Sequence, residues 1–289
     1  MPIIIENLNF VYNPRTTFEK HAVKNVSLTI NDGDYLAIIG PTGSGKSTFI
    51  QHLNGLIRVQ KNSGSIFVDD MNITPKKIDF NKLRSQVGMV FQYPEYQLFA
   101  DTVYNDVAFG LKNIKLNKEE IEPRVREALT LVGLDFDEVS GKSPFELSGG
   151  EKRRVAIAGV VAMQPKILVL DEPIAGLDPQ GKREILELLL KLKATCSPTI
   201  VIISHDMDEV ARYATRVAVF NEGEIIYDLP PQELFEKVDE LRAIGLDIPQ
   251  LARLREILSK KGLFVSPSCL SVSKMADGII GLKKGGNNV

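Results

Sequence analysis

Residues 40–47 read GPTGSGKS and directly follow the apolar run YLAII at residues 35–39. This order predicts a buried strand, a glycine-rich turn and a helix that begins at about Lys46. The glycines let successive backbone N–H groups converge on phosphate oxygens, and the helix N-terminus presents its positive dipole end to the same anion. Lys46 adds a positive charge for the β- and γ-phosphates, and the Ser47 hydroxyl can ligate Mg²⁺. This P-loop pattern predicts binding of a nucleoside triphosphate together with Mg²⁺.

The composition is that of a soluble globular protein, with 44% apolar and 25% charged residues among 289. This length predicts a main domain with an appendage. The net charge of −2 provides no strong field, so no nucleic-acid partner is expected. No apolar run approaches the ~20 residues that span a bilayer, and the start of the chain does not resemble a signal peptide. Cys196 and Cys269 lack metal-type spacing, which favours a reduced, cytoplasmic chain.

The order of strand and helix patterns predicts the fold class. Short strand-like runs fill the first ninety residues, whereas residues 95–163 are mainly helical in pattern. Within that part, Asn117 with a glutamate three residues later predicts a capping box, and another helix is expected from Ser148. Further on, strands alternate with helices, and residues 167–170 and 199–203 are apolar runs typical of strands buried on both faces. The sequence therefore predicts an α/β P-loop NTPase core with a mainly parallel sheet, an N-terminal antiparallel β subdomain and a helical subdomain.

Pro230 and Pro231 mark the clearest boundary. The expected division is a main domain over residues 1–229, with its helical subdomain at about 95–163, and a C-terminal extension over 230–289. The extension is expected to be a small helical appendage, because its short amphipathic helices are too small to form a core of their own.

Two acidic residues, Asp171 and Glu172, follow the apolar strand at residues 167–170. Open α/β sheets bind ligands at the carboxyl ends of their strands, so both acids are expected beside the P-loop. Asp171 is then expected to hold Mg²⁺ or its water, and Glu172 to orient and polarise the attacking water. The competing interpretation is a pair of solvated loop acids, which the adjacent apolar strand and the P-loop disfavour.

Residues 147–151, LSGGE, resemble the signature motif of the ATP-binding cassette (ABC) ATPases, usually written LSGGQ. A serine hydroxyl and unhindered glycine amides at a helix N-terminus suit a γ-phosphate. The resemblance implies that this motif meets the ATP bound by the P-loop of the opposite subunit. The sequence departs from the family where Glu151 replaces the usual Gln. This charge lies on the first helical turn and favours the helix dipole, so activity is expected to persist.

Further matches to the ABC ATPases occur along the chain. His205 matches the switch histidine, which contacts the γ-phosphate, and Gln92 matches the Q-loop glutamine, which senses Mg²⁺ and the attacking water. Asp178 matches the D-loop, which communicates across the dimer. Tyr12 is placed like the aromatic residue that stacks on adenine, with an ordinary core or edge tyrosine as the rival interpretation. The implied sites comprise Glu172, His205 and Gln92 for catalysis; Tyr12, Gly40, Pro41, Thr42, Gly43, Ser44, Gly45, Lys46, Ser47 and Thr48 for ATP; Ser148, Gly149, Gly150 and Glu151 for the opposite ATP; and Ser47, Gln92 and Asp171 for Mg²⁺.

The resemblance to ABC ATPases covers about residues 3–229, and a narrower one is visible at residues 92–99, 154–159 and 245–249. These segments are similar to the ATPases of energy-coupling factor (ECF) importers, which take up vitamins and transition-metal ions. This resemblance implies pairing with a second, identical or different ATPase subunit, through the C-terminal extension among other contacts. It also implies a transmembrane coupling protein, a substrate-capture membrane protein and a peripheral position at the cytoplasmic face of the membrane.

Other functions fit less well. The ATPase of another type of ABC importer is the main alternative. A soluble chromosome-maintenance ATPase of the same superfamily would carry long coiled coils, and residues 48–146 show no sustained heptads. A scaffold that only binds ATP is disfavoured, because Asp171, Glu172 and His205 are all present.

Overall fold

A computed structural model describes residues 1–75 and 77–285. The end of the expected C-terminal extension, residues 286–289, therefore lies outside the described residues. The strands of the described part are β1 (Ile3–Tyr12), β2 (Lys20–Ile30), β3 (Tyr35–Ile39), β4 (Ser65–Val68), β5 (Met71–Asn72), β6 (Val87–Val90), β7 (Ile167–Asp171), β8 (Thr199–Ile203), β9 (Arg216–Asn221) and β10 (Glu224–Leu229). Its helices are α1 (Lys46–Leu53), α2 (Phe80–Gln86), α3 (Val103–Asn113), α4 (Lys118–Leu131), α5 (Phe136–Val139), α6 (Gly149–Val161), α7 (Pro179–Thr195), α8 (Met207–Tyr213), α9 (Pro231–Leu234), α10 (Val238–Ala243), α11 (Gln250–Lys260) and α12 (Val272–Gly285).

The central sheet has six strands in the order β10-β9-β3-β8-β7-β6. All neighbours pair in parallel except β10, which forms an antiparallel hairpin with β9 at the edge. Strands β3, β7 and β8 are buried along their whole length, which explains why their sequences are continuous apolar runs. Because β3, β6, β7 and β8 run in the same direction, the segments that follow them meet at one edge of the sheet.

A second, antiparallel sheet has the strand order β2-β1-β4-β5. Its apolar side chains and helix α1 share one hydrophobic core with one face of the central sheet, with Ile3, Phe49 and Phe220 fully buried in it. The helical segment α3–α6 packs in a separate core with α7 and the other face. These features confirm the expected fold class, an α/β core with an antiparallel β subdomain and a helical subdomain.

The first part of the C-terminal extension packs on the main core rather than apart from it. Leu234, Phe235 and Leu241 are fully buried in the same cluster as the central helices. Further on, Val265, Cys269 and Met275 form a small cluster with side chains of α11 and α12. This arrangement fits helices too short to build a large core of their own, while the division at residues 229/230 stays a proposal. Within residues 1–75 and 77–285, no helix combines the length and apolar character that crossing a bilayer requires.

Local details differ from expectation in three places. Helix α2 was not anticipated among the early strands. The capping box at Asn117 is wrong, because its side chain makes no cap hydrogen bond and its backbone oxygen accepts instead from the N–H of Glu120. The apolar residues at positions 185, 188, 189 and 192 predict a helix over residues 182–193, but α7 begins earlier, at Pro179, where Asp178 caps it.

Candidate functional site

The P-loop connects β3 to α1 through a tight turn that only glycine allows at two positions. Gly40 and Gly45 have φ angles of 150° and 107°. A Cβ on Gly40 would lie 2.2 Å from the backbone oxygen of Phe220, and one on Gly45 would lie 2.1 Å from that of Ala22. The neighbouring backbone therefore packs directly against the loop and holds it in shape. Its amides and the N-terminus of α1 form a concave surface suited to an anion.

The Lys46 side chain curls back over this loop. Its Nζ donates hydrogen bonds to the backbone oxygens of Gly40 at 2.7 Å and Pro41 at 2.9 Å. Burial lowers the pKa of Lys46, while the negative charges of Glu172 and Asp171 act in the opposite direction. The ammonium is thus held inside the loop, at the place where the sequence predicts phosphate groups.

Ser47 and Asp171 bring a hydroxyl and a carboxylate together beside the loop. Ser47 Oγ donates to Asp171 Oδ1 at 3.2 Å, and burial raises the pKa of Asp171. Among the described residues, no group of three His, Cys, Asp or Glu side chains clusters as a complete metal site. One hydroxyl with one carboxylate is nevertheless the oxygen donor set that Mg²⁺ takes from a protein when phosphates supply further ligands. The residues present therefore fit Mg²⁺ bound together with a triphosphate.

Glu172 is fixed by two neighbours at the end of β7. Its Oε1 lies 2.7 Å from His205 Nε2, and its Oε2 accepts from Gln92 Nε2 at 2.9 Å. Its φ angle of 48° is in the left-handed region, which is uncommon for a residue other than glycine. Gln92 follows β6 and His205 follows β8, so three strand ends hold one carboxylate in place.

An open cleft of about 400 Å³ joins these groups to the P-loop. Tyr12 lines the cleft, and its hydroxyl lies 3.1 Å from Thr48 Oγ1. Lys20 also lines the cleft, directly opposite Tyr12 in the β1/β2 register, and the sequence did not single it out. Lys20 can be identified only from the register in which β1 and β2 pair. The sequence does not determine that register, because it does not reveal the shape of the loop that connects the two strands. The cleft is lined by Tyr12, Lys20, Ala22, Thr42, Gly43, Gly45, Lys46, Ser47, Thr48, Gln92, Glu172 and His205.

Three predicted P-loop residues lie behind the cleft rather than on its wall. Gly40 and Pro41 contribute the backbone oxygens that hold Lys46. Ser44 is buried, and its backbone oxygen accepts from the N–H of Gly223. These residues shape the loop, whereas Thr42, Gly43, Gly45 and the start of α1 face the open space.

The LSGGE segment begins α6 and does not line this cleft. Ser148 is the N-cap, and its Oγ accepts from the N–H of Glu151 at 3.3 Å. In return, Glu151 Oε2 accepts from the N–H of Ser148 at 2.8 Å and from its hydroxyl at 2.7 Å. These hydrogen bonds from Ser148 lower the pKa of Glu151. The glycines at 149 and 150 are exposed, so this helix N-terminus points to solvent.

Asp178 also lies outside the cleft. Its Oδ1 accepts from the N–H of Gly181 at 2.7 Å and caps α7. The structure thus brings Tyr12, the P-loop, Gln92, Asp171, Glu172 and His205 together in one place, and leaves residues 148–151 and Asp178 elsewhere on the surface.

The chain matches a known protein family and several of its curated members. A family model described as ABC transporter matches residues 23–175. The chain is 50% identical to the energy-coupling factor transporter ATP-binding protein EcfA2 of Clostridium tetani, over 95% of this chain and 94% of the relative. It is 48% identical to the protein of the same name from Clostridium perfringens, over 99% of this chain and 100% of the relative.

Solved structures agree with these relatives. The structure of cbiO1 from Clostridium perfringens, described as part of the ABC transporter complex cbiONQ, matches with a TM-score of 0.72 and 41% identity. That match covers 88% of this chain and 98% of the other. A dimeric ATP-binding cassette, MJ0796, described in a post-hydrolysis state bound to ADP and Pi, matches with a TM-score of 0.68 and 28% identity, over 79% of this chain and 98% of the other.

Proposed function

Because this chain belongs to the ABC transporter ATPases, and within them to the ATP-binding subunits of energy-coupling factor transporters, we propose how its residues divide the work of ATP hydrolysis. The placement of Glu172 between Gln92 and His205, in the same cleft as the P-loop, carries the proposal. In this proposal, Glu172 orients and polarises the attacking water. His205 and Gln92 hold the Glu172 carboxylate in place through their contacts with its two oxygens. Hydrolysis of ATP then depends mainly on positioning and charge stabilisation, as in other phosphoryl transfers.

The P-loop binds the triphosphate in this proposal. Amides of residues 42–48 face the phosphate oxygens, and Lys46 exchanges its backbone acceptors, Gly40 and Pro41, for the β- and γ-phosphates. Tyr12 stacks on the adenine from its position on the cleft wall. Lys20, on the same wall, adds positive charge at the mouth of the cleft.

Mg²⁺ accompanies the ATP in this proposal. Ser47 and Asp171 would hold it, directly or through water, with Gln92 nearby. When bound, the ion neutralises charge on the β- and γ-phosphates.

The catalytic centre is completed by a second ATPase subunit. Residues 148–151 form an exposed helix N-terminus that is absent from the chain's own cleft, and MJ0796 is described as a dimeric cassette. We therefore infer that Ser148, Gly149 and Gly150 contact the γ-phosphate of the ATP bound by the partner subunit. Asp178 would lie close to the interface between the two subunits. The C-terminal extension, over residues 230–289, is the further element proposed to join the two subunits. Exposed apolar side chains at Ile257 and Phe264 support this role.

A transmembrane coupling protein is the proposed partner on the other side of the helical subdomain. Phe99 and Phe109 are exposed, with their rings at 4.9 Å, and they border a groove of about 420 Å³ that Met163 also lines. We infer that a helix of the coupling protein docks beside the segment 93–99, called here the docking segment. The chain would then lie at the cytoplasmic face of the membrane, and a separate capture protein would bind the imported vitamin or metal ion.

The test of this mechanism is Glu172→Gln, which keeps the size and shape of the side chain and removes its negative charge. The variant should bind ATP normally and hydrolyse it at least about a hundredfold more slowly, the scale of a lost general base. Glu184→Gln, an exposed acid on α7 that pairs with Arg154, is the control and should hydrolyse ATP at the parent rate. Unchanged turnover by Glu172→Gln would refute the assigned role.

Mass spectrometry of the membrane complex purified through this chain tests the proposed partners. A second ATPase with a coupling protein and a small capture protein is expected. A pair of channel proteins with a periplasmic-type binding protein would contradict the proposed assembly. The same spectra determine whether the second ATPase is an identical or a different chain.

A further inference from the structure

Arg153 is a buried charged residue that the mechanism above does not use. It lies on α6, with only 3% of its side chain exposed, five positions after Ser148. Its Nε and Nη2 donate to the two carboxylate oxygens of Glu95, each at 3.0 Å. Its Nη1 donates to the backbone oxygens of Pro173 and Ala175, both at 3.2 Å. The guanidinium thus uses nearly all of its donors within the protein.

Burying a charged group such as this guanidinium has a cost in free energy. A buried charge loses its hydration, and its ion pair often contributes little net stability compared with well-packed apolar residues. What the arrangement does supply is geometry, because the planar fork of Arg153 fixes a carboxylate and two carbonyls in one orientation. Lysine could not make the same set of contacts.

Arg153 joins its own helix to two other segments, and the three parts carry three different proposed functions. Glu95 belongs to the docking segment, and Ser148 of the signature motif caps the N-terminus of α6. Residues 173–175 directly follow Glu172. The docking segment also passes close to this loop, because a Cβ on Gly176 would lie 3.8 Å from the ring of Tyr93. The docking segment is therefore tied to both the signature helix and the loop behind the catalytic carboxylate.

We propose that Arg153 is a positioning residue that makes the docking segment, the signature helix and residues 173–175 move together, so that ATP binding is transmitted to the membrane partner. This inference rests on the proposed function. When the signature of one subunit engages ATP on the other, α6 shifts as a unit, and the Arg153–Glu95 pair carries that shift to the docking segment. Without the pair, ATP still binds at the P-loop but its binding no longer reaches the docking segment.

A neighbouring residue provides a matched control. Arg154 is the next residue of α6, and it pairs with Glu184 on α7 at 2.7 Å on a more exposed surface. Arg154→Gln removes one positive charge from the same helical turn without touching the docking segment. Any effect of losing one positive charge from α6, or of helix propensity alone, should therefore appear in Arg154→Gln as well as in a variant that replaces Arg153.

The chain contains no tryptophan, so one can be introduced as a reporter. Tyr96 in the docking segment is 84% exposed, and Tyr96→Trp in the Glu172→Gln background reports on this segment while ATP is held. The full-length chain, purified with its paired ATPase, is titrated with Mg-ATP. Tryptophan emission is compared with that of the same complex without Tyr96→Trp. ATP binding is measured independently by displacement of a fluorescent ATP analogue.

The parent should show an ATP-dependent emission change. Glu95→Gln should reduce its amplitude by about twofold to thirtyfold, the range of measured coupling effects, with analogue displacement unchanged and with Arg154→Gln behaving like the parent. Glu95→Gln with Arg153→Gln replaces the ion pair by two neutral amides. This double variant should retain the parent's melting temperature more closely and still lose the emission change.

Two results would overturn the proposal. One is a parent that binds ATP without any emission change, and the other is full amplitude in both Glu95→Gln and the folded double variant. A parent complex that fails to bind ATP would overturn the proposed function as well, which separates the two failures.

Discussion

Replacing Glu151 should change stability and ATP-dependent pairing in opposite directions. The carboxylate of Glu151 accepts both the N–H and the hydroxyl of Ser148, while the Ser148 hydroxyl caps the helix in return. A serine hydroxyl has a single proton to donate. A phosphate oxygen, which only accepts, must therefore compete with Glu151 for that proton when the subunits close.

The stability change follows from the cap. Glu151→Ala removes both hydrogen bonds to Ser148 and a favourable charge at the helix N-terminus, a loss of about 1–2 kcal/mol for a solvent-exposed cap. This corresponds to a melting temperature lower by about 2–8 °C for a chain of this size. Glu151→Gln keeps an acceptor for Ser148 and loses only the charge, so its loss should be about 0.3–1 kcal/mol.

The effect on pairing has the opposite sign. Glu151→Gln removes a negative charge beside the place proposed for the partner's γ-phosphate and weakens the competition for the Ser148 hydroxyl. Two like charges about 4 Å apart near a protein surface repel by about 1–4 kcal/mol before screening. A gain of about 1 kcal/mol after screening corresponds to pairing about fivefold tighter in the presence of ATP.

Two measurements on the same preparations test this reasoning. Thermal unfolding without nucleotide should rank the parent above Glu151→Gln and Glu151→Gln above Glu151→Ala. The protein concentration that gives half-maximal ATPase activity should be lowest for Glu151→Gln. If Glu151→Gln loses stability and also needs more protein for activity, the carboxylate does not compete with phosphate, and its role is limited to the cap.

Two further predictions concern the P-loop and helix α1. Gly45→Ala places its Cβ within 2.1 Å of the Ala22 oxygen at a left-handed φ, so strain of about 1–3 kcal/mol should weaken binding of a fluorescent ATP analogue by about tenfold. Gly141→Ala, which would meet no atom within 4 Å, is its control, and equal affinity in both variants would contradict the steric argument. Burial lowers the pKa of His52 to about 4, although its hydrogen bond with the Thr48 oxygen acts in the opposite direction. The folded protein therefore disfavours the protonated imidazole, so the stability contributed by neutral His52 is present above pH ~6.5 and is lost as pH falls towards 4. Between pH 7.5 and 5 the free energy of unfolding, measured with urea, should fall by about 2 kcal/mol. If His52→Gln shows the same pH dependence as the parent, other groups are responsible for it.

Much of the fold was predictable because the inner strands of its central sheet are buried on both faces. The apolar runs that became β3, β7 and β8 have no alternating pattern, and short polar turns bound them. The order of motifs along the chain then determines which groups lie near each other, because parallel strands end at the same edge of the sheet. Gln92, Glu172 and His205 lie 80 and 33 residues apart in sequence and still meet within hydrogen-bond distance.

The contacts that could not be predicted depend on side-chain packing and strand register. Lys20 lies in the cleft only because β1 and β2 pair Tyr12 with Lys20. In the sequence, Arg153 is one of several neighbouring basic residues on a helix. Nothing in its local sequence indicates that it is buried against Glu95. Asn117 illustrates the reverse case, because its sequence fits a capping box but a backbone hydrogen bond replaces the side-chain cap. Sequence patterns identify groups that act through their own chemistry, whereas groups that act by holding others require the packed structure.

The arrangement of the site also explains why hydrolysis should depend on pairing. Glu172 is held by His205 and Gln92 of its own chain, so a second subunit is not needed to orient this carboxylate. What the chain's own cleft lacks is a second helix N-terminus opposite the P-loop. On the proposed arrangement the partner supplies a helix dipole worth about 0.3–2 kcal/mol and a serine hydrogen bond to a charged group worth about 1.5–3 kcal/mol. Together these amount to a rate factor of about twentyfold to several thousandfold if they act in the transition state. Specific activity should therefore rise steeply with protein concentration, and a strictly monomeric preparation that hydrolyses ATP at full rate would contradict the shared site.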